Sequence, residues 1–145
     1  MTVTEATRTI VQEITINAPA ERIFEALVDP EQRKQWWGRE GRFQATDVES
    51  DLRVGGKWKM SGSGFGRPFT VSGEYRAIER PRLLAFTWRP SWQASSAETL
   101  VRFDLFETDG KTTVRITHSG LMPQDTEAHQ GWPQLLAGLR AFVER

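Results

Sequence analysis

The sequence predicts an α+β fold in which a seven-stranded, curved antiparallel sheet wraps around a long C-terminal helix, with two short helices between strands 1 and 2. Three observations carry this prediction. Alternating strand-like segments run almost without interruption from Arg42 to Ser119, one apolar helical stripe follows Trp132, and the chain changes from strand to helical periodicity directly after its first strand.

The first strand is Arg8 to Ile16, where Ile10, Gln12, Ile14 and Ile16 alternate with Thr9, Val11, Glu13 and Thr15. Asn17 is a suitable N-cap and Pro19 suits a first helical turn. Ile23, Phe24 and Leu27 then share one helical face until Asp29-Pro30 ends the run. Pro30 opens a second short helix through Arg33 and Lys34 to Trp36 and Trp37, with Gly38 as its stop. Strands follow over Phe43 to Val48, Gly55 to Met60, Phe69 to Ile78, Leu83 to Trp88, Thr99 to Glu107 and Thr112 to His118. Asp109-Gly110 tolerates the positive φ of a tight turn and makes the last two an antiparallel hairpin. Ser61 to Pro68, rich in glycine and serine, is expected to be a mobile hairpin loop.

The final segment places Trp132, Leu135, Leu136, Leu139, Phe142 and Val143 on one helical stripe, and Pro133 marks the helix start or a kink. Burying six such side chains at roughly 1.5 to 3 kcal/mol each supplies about 10 kcal/mol or more before entropy, so the helix must dock on the sheet.

With 145 residues the chain is expected to form one domain over 1–145, with residues 1–7 a disordered tail. Lysine plus arginine balances aspartate plus glutamate at 19 each, which leaves no net field for nucleic acid or anionic membranes. The absence of cysteine removes disulfides, thiol nucleophiles and thiolate metal sites. No stretch approaches the roughly 20 apolar residues of a membrane span and no signal peptide is visible, so a cytoplasmic protein is expected. The six tryptophans and eight phenylalanines demand a large apolar interior.

Several blocks sharpen the fold. Asn17-Ala18-Pro19-Ala20-Glu21-Arg22-Ile23-Phe24-Glu25-Ala26-Leu27, Trp36-Trp37-Gly38 and Val54-Gly55-Gly56-Lys57-Trp58 resemble the heat-shock-protein-90 ATPase activator-like family. Gly73-Glu74-Tyr75 with Ile78 and Pro81, Leu84-Ala85-Phe86-Thr87-Trp88, Thr117-His118-Ser119-Gly120-Leu121 and His129-Gln130-Gly131-Trp132 are similar to its later blocks, so the resemblance covers nearly the whole chain. It implies the helix-grip fold of the START-like superfamily, shared with the birch pollen allergen and lipid-transfer domains. That superfamily holds lipid carriers, cyclases, hormone receptors and co-chaperone domains, so fold alone does not transfer a function.

Strand alternation sends Trp58 and Met60, Val71 and Tyr75, Leu84, Phe86 and Trp88 to one face, together with Val101, Phe103, Leu105, Val114, Ile116 and His118. Val101, Phe103, Val114 and Ile116 read most simply as solid core. Trp36, Trp37, Trp58, Phe65, Trp88 and Trp132 are wide aromatics suited either to a cavity wall or to core. Met60, Tyr75, Phe86, Phe103, Leu135 and Leu136 complete the expected ligand lining. Adjacent helical residues point about 100° apart, so one of Trp36 and Trp37 is expected at a pocket entrance.

His118 is the one candidate acid or base, although a satisfied structural histidine is the simpler reading; His129 is expected to cap, bond a carbonyl or sit exposed. Two histidines without thiolates do not make a metal site, and no cofactor is expected. Gly62, Gly64 and Gly66 lead into a strand rather than a helix and are read as a lid, not a phosphate loop. Gly55-Gly56 reads as a bulge, and Arg102 and Asp104, with Glu98 nearby, are placed facing solvent.

The leading expectation is a protein that binds a small hydrophobic molecule, aromatic or lipid-like, in a cavity between sheet and terminal helix. A cyclase- or hydrolase-like enzyme using His118 is the second. The third, implied by the resemblance, is an interaction role such as stimulating a chaperone ATPase within a stress response. A chaperone or a second copy of the chain are the macromolecular partners left open.

Overall fold

Backbone pairing turns the predicted alternation into one antiparallel sheet in a computed structural model that describes residues 7–39, 43–64, 66–91, 98–126 and 129–145. The strands are β1 (Arg8–Ile16), β2 (Gly38–Arg39), β3 (Phe43–Ser50), β4 (Lys57–Gly64), β5 (Arg67–Glu79), β6 (Leu83–Pro90), β7 (Thr99–Thr108) and β8 (Lys111–Leu121). The helices are α1 (Ala20–Val28), α2 (Pro30–Trp36) and α3 (Trp132–Glu144). The sheet order is β1-β8-β7-β6-β5-β4-β3-β2, so the chain meanders outward from β3 to β8 and closes on β1. All seven expected strands form, and the two-residue β2 is an addition: Gly38 and Arg39 pair with Gln44 and Phe43 just where the second helix stops. Among the described residues no helix is long and apolar enough to cross a membrane. The tail expected over 1–7 lies outside the described residues except for Thr7.

The inner face is the one alternation selects. Met60, Val71, Leu84, Val101, Val114 and Ile116 are wholly buried, in one core cluster with Leu136, Leu139 and Phe142 of α3. α3 begins at Trp132 with Pro133 in its first turn, where a missing N–H costs nothing. An added Cβ on Gly138 would lie 3.2 Å from the Trp36 carbonyl oxygen, so glycine is what lets α3 approach the backbone of α2. The Asp109-Gly110 turn has the positive φ values expected, 52° and 77°, and joins Thr108 to Lys111.

Three local expectations are corrected. Asn17 does not cap α1: its N-cap is Pro19, and the Ala20 N–H at the helix start is instead satisfied by Glu107 Oε1 from β7 at 2.7 Å. A carboxylate brought from 87 residues away suits a helix N-terminus but leaves no local signal. Ser61 to Gly64 are not loop, because they pair on one side with Thr70, Phe69, Pro68 and Arg67. On their other side they face β3, so backbone hydrogen bonds hold a stretch that has few side chains to bury. The lid read from Gly62 and Gly64 is therefore sheet, and Phe65 lies outside the described residues. Finally, neither Trp36 nor Trp37 rims an entrance, since they are 4% and 2% exposed. Trp37 is the C-cap, with φ −81° and ψ 103°, so the helical 100° step no longer separates the two rings and both turn inward.

Candidate functional site

Five indoles meet between β4, β6, α2 and the start of α3. Trp37 lies with ring centroids 5.1 Å from Trp36, 5.8 Å from Trp88 and 6.1 Å from Trp132. Trp88 in turn lies 5.9 Å from Trp58 and 5.3 Å from Trp132. Phe86 extends the cluster edge-on from Trp58 at 5.1 Å and reaches Phe103 and Tyr75 at 6.1 and 6.3 Å. These spacings are those of favourable tilted and edge-to-face aromatic pairs.

Local structure explains how α2 is held. The last carbonyls of α1 have no helical partner, and α2 supplies them: Trp36 Nε1–H donates to Ala26 O at 2.8 Å. Arg33 donates from Nε and one terminal nitrogen to Leu27 O at 3.0 and 2.6 Å. The Arg33 guanidinium is 2% exposed and faces the rings of Trp37, Trp58 and Phe86 at 5.6, 5.5 and 5.9 Å. Burial lowers its pKa from the ordinary value, offset in part by the neighbouring Tyr75 hydroxyl.

The histidines are locked by the same indoles. Trp132 Nε1–H donates to His118 Nδ1 at 3.1 Å, and an indole can only donate, so the proton of His118 sits on Nε2. That nitrogen donates to Thr99 Oγ1 at 2.7 Å, and the hydroxyl passes its own proton to Trp88 O at 3.2 Å. Likewise Trp88 Nε1–H donates to His129 Nε2 at 3.2 Å, while His129 Nδ1 donates to Asp125 O at 2.9 Å. Burial pushes His118 down to about 3, with His129 adding to the effect, and burial also lowers His129. Both rings are neutral acceptors for tryptophan, which occupies the lone pair that a general base would need.

One polar atom in the cluster is unmatched. Trp58 Nε1 is buried with no hydrogen-bond partner, a state that costs on the order of 1–3 kcal/mol. Its indole edge turns to Gly73, where an added Cβ would lie 2.7 Å from Nε1 and 1.8 Å from Thr87 O, so only glycine fits. Regular β5–β6 pairing lapses there between Ser72 and Tyr75, and Glu74 N–H goes to Thr87 Oγ1 at 2.8 Å instead. A cavity of about 440 Å³ opens at this lapse, bounded by outward-facing Lys57, Lys59, Glu74 and Arg89 and reaching Trp58 and Gly73.

The structure thus gathers Trp36, Trp37, Trp58, Phe86, Trp88, His118 and Trp132 into one cluster, with Met60, Tyr75, Phe103 and Leu136 buried around it. Leu135 is only partly buried against that core, and Tyr75 turns its hydroxyl to Ser50 Oγ at 2.6 Å. Arg102 and Asp104 pair in solvent at 2.9 and 3.0 Å as expected, and Glu98 meets Arg76 at 3.6 Å. Arg33 and Thr99 were not anticipated. Arg33 stands three and four residues before two tryptophans on a helix, which is a readable signal, whereas Thr99 matters only through its position opposite Trp88.

The family described as "Activator of Hsp90 ATPase homolog 1-like protein" matches residues 17–144. Among solved structures, a Chromobacterium violaceum protein is 27% identical with a TM-score of 0.84, over 94% of this chain and 97% of its own. A Mesorhizobium loti protein is 26% identical with a TM-score of 0.76, over 95% and 98%. An AHSA1-like protein from Aeromonas hydrophila, 22% identical with a TM-score of 0.79 over 94% and 92%, shares the fold. No curated protein matches the chain.

Proposed function

The chain belongs to the activator of Hsp90 ATPase homolog 1-like family, and on that premise we propose that it is a cytoplasmic protein binding a small hydrophobic molecule, flat and aromatic in preference to a lipid chain, among the indoles between sheet and α3. The observation that supports this reading best is the buried, partnerless N–H of Trp58 in a cluster where the Trp36, Trp88 and Trp132 N–H groups each have a defined acceptor. Buried donors are almost always paired, and one left open at the edge of an aromatic cluster is a place for a ligand acceptor.

The indoles are in contact, so a ligand enters by parting them, and its apparent affinity is reduced by the cost of opening. A ligand of about 20 atoms at about 0.3 kcal/mol per atom then binds no more tightly than tens of micromolar. An enzymatic role for His118 is disfavoured because Trp132 holds its lone pair.

Native mass spectrometry of freshly purified protein, followed by tryptophan-emission titration with whatever co-purifies and with a panel of aromatic and lipid-like molecules, tests the proposal. A retained or titratable molecule supports it. A protein that is empty and whose emission ignores the panel contradicts it and turns attention to a chaperone partner.

A further inference from the structure

Arg33 differs in kind from the other cations of the described residues that form ion pairs. Those pairs join side chains that keep much of their exposure, as in Arg80 with Glu21 or Arg115 with Glu13. Arg33 is buried, its hydrogen bonds go to the Leu27 carbonyl and the Tyr75 hydroxyl, and no carboxylate among the described residues pairs with it. The negative end of α1 and the three ring faces make the charge tolerable. A guanidinium carries five N–H groups, more than the Leu27 carbonyl and the Tyr75 hydroxyl take up, and its fork matches a carboxylate. Of the two indoles that Arg33 overlies, Trp58 is the one with the open N–H, so an acceptor between them meets a cation and a neutral donor together.

We propose that the molecule bound among the tryptophans is a small aryl carboxylate, its oxygens on Arg33 and Trp58 Nε1 and its ring against the faces of Trp37 and Trp58. This rests on the ligand reading above and names its chemical class. A monoanion fits better than a phosphate dianion, because His118 and His129 are held neutral and the described interior offers no second cation. A flat body fits better than a flexible one, because the walls beside the charge are rings.

Isothermal titration of the full chain with 2-naphthoate, 2-naphthalenemethanol and 2-naphthylmethylammonium tests this. The wild type is expected to bind the carboxylate at least about tenfold more tightly than the alcohol, and the ammonium most weakly. Arg33→Met should abolish the preference while keeping the alcohol's affinity, and Lys57→Gln with Lys59→Gln in the outer groove should leave it unchanged. Equal affinity for carboxylate and alcohol overturns the inference while leaving the ligand reading intact. So does a preference that survives Arg33→Met or vanishes in the lysine variant. Failure of all three probes to bind defeats the ligand reading itself. If Arg33→Met does not fold, the wild-type order of the three probes and its persistence in the lysine variant decide.

Discussion

The two ends of the interior are built from different chemistry. Near the β7–β8 hairpin, Leu105 pairs across the sheet with Val114, which faces Ile14, and Ile16, Ile23 and Leu27 pack close by, all without a polar atom on their side chains. At the other end, where Trp88 faces Thr99, the same layer holds five indoles, two imidazoles, a hydroxyl and a guanidinium, and almost every polar atom has one specific partner. The aliphatic end is held by close packing, whose strength scales with volume filled. The aromatic end is held by donors and acceptors that can be uncoupled one at a time. The first end has no polar group to satisfy, whereas the second holds one donor, Trp58 Nε1, without a partner, and the proposed ligand belongs there.

The largest effect should come from opening the aliphatic end. Ile16→Ala removes a fully buried side chain and should cost about 2–5 kcal/mol in denaturant unfolding. A loss under about 1 kcal/mol would mean that this end is not the solid core described.

The aromatic end should instead respond to pH. His118 takes a proton near 6.5 when unfolded but only at about 3 when folded. Below about 6.5 the unfolded state therefore gains a proton that the folded state refuses. Stability attributable to His118 falls by about 1.4 kcal/mol per pH unit down to that lower limit. His129, also lowered, adds in the same direction. His118→Gln should flatten the acid limb of a stability-versus-pH curve, and an unchanged slope would remove the buried-neutral assignment.

Trp132→Phe keeps an aromatic ring but deletes the pyrrole portion of the indole with its N–H to His118 Nδ1. A loss of about 1–3 kcal/mol is expected, with His118 moving up toward its ordinary pKa in an NMR titration, because the neutral form loses its donor. A shift further down would contradict the tautomer. The smallest effect belongs to the solvent face, where Asp104→Asn should change stability by no more than about 1 kcal/mol.

The sheet was legible because alternation depends only on a residue's own side chain. The first strand, Arg8–Ile16, was placed to the residue, and every residue of the inward set from Trp58 to His118 is buried. The N-cap of α1 was not legible because Glu107 arrives from a distant strand. The inward turn of both Trp36 and Trp37 was missed because it depends on where α2 ends, and helix ends are set by tertiary contacts. Arg33 was missed because a charged residue on a short helix reads as solvent-facing unless its neighbours' rings are known to enclose it.

The central claim is that a small molecule enters among the indoles, and the indole N–H resonances of uniformly ¹⁵N-labelled protein titrated with 2-naphthalenemethanol test it most directly. The account predicts that the Nε1–H signals of Trp58, Trp88 and Trp132 shift together and saturably, with Trp58 moving most because its N–H gains an acceptor. Binding that leaves all three unmoved, or moves only surface amides, would contradict it.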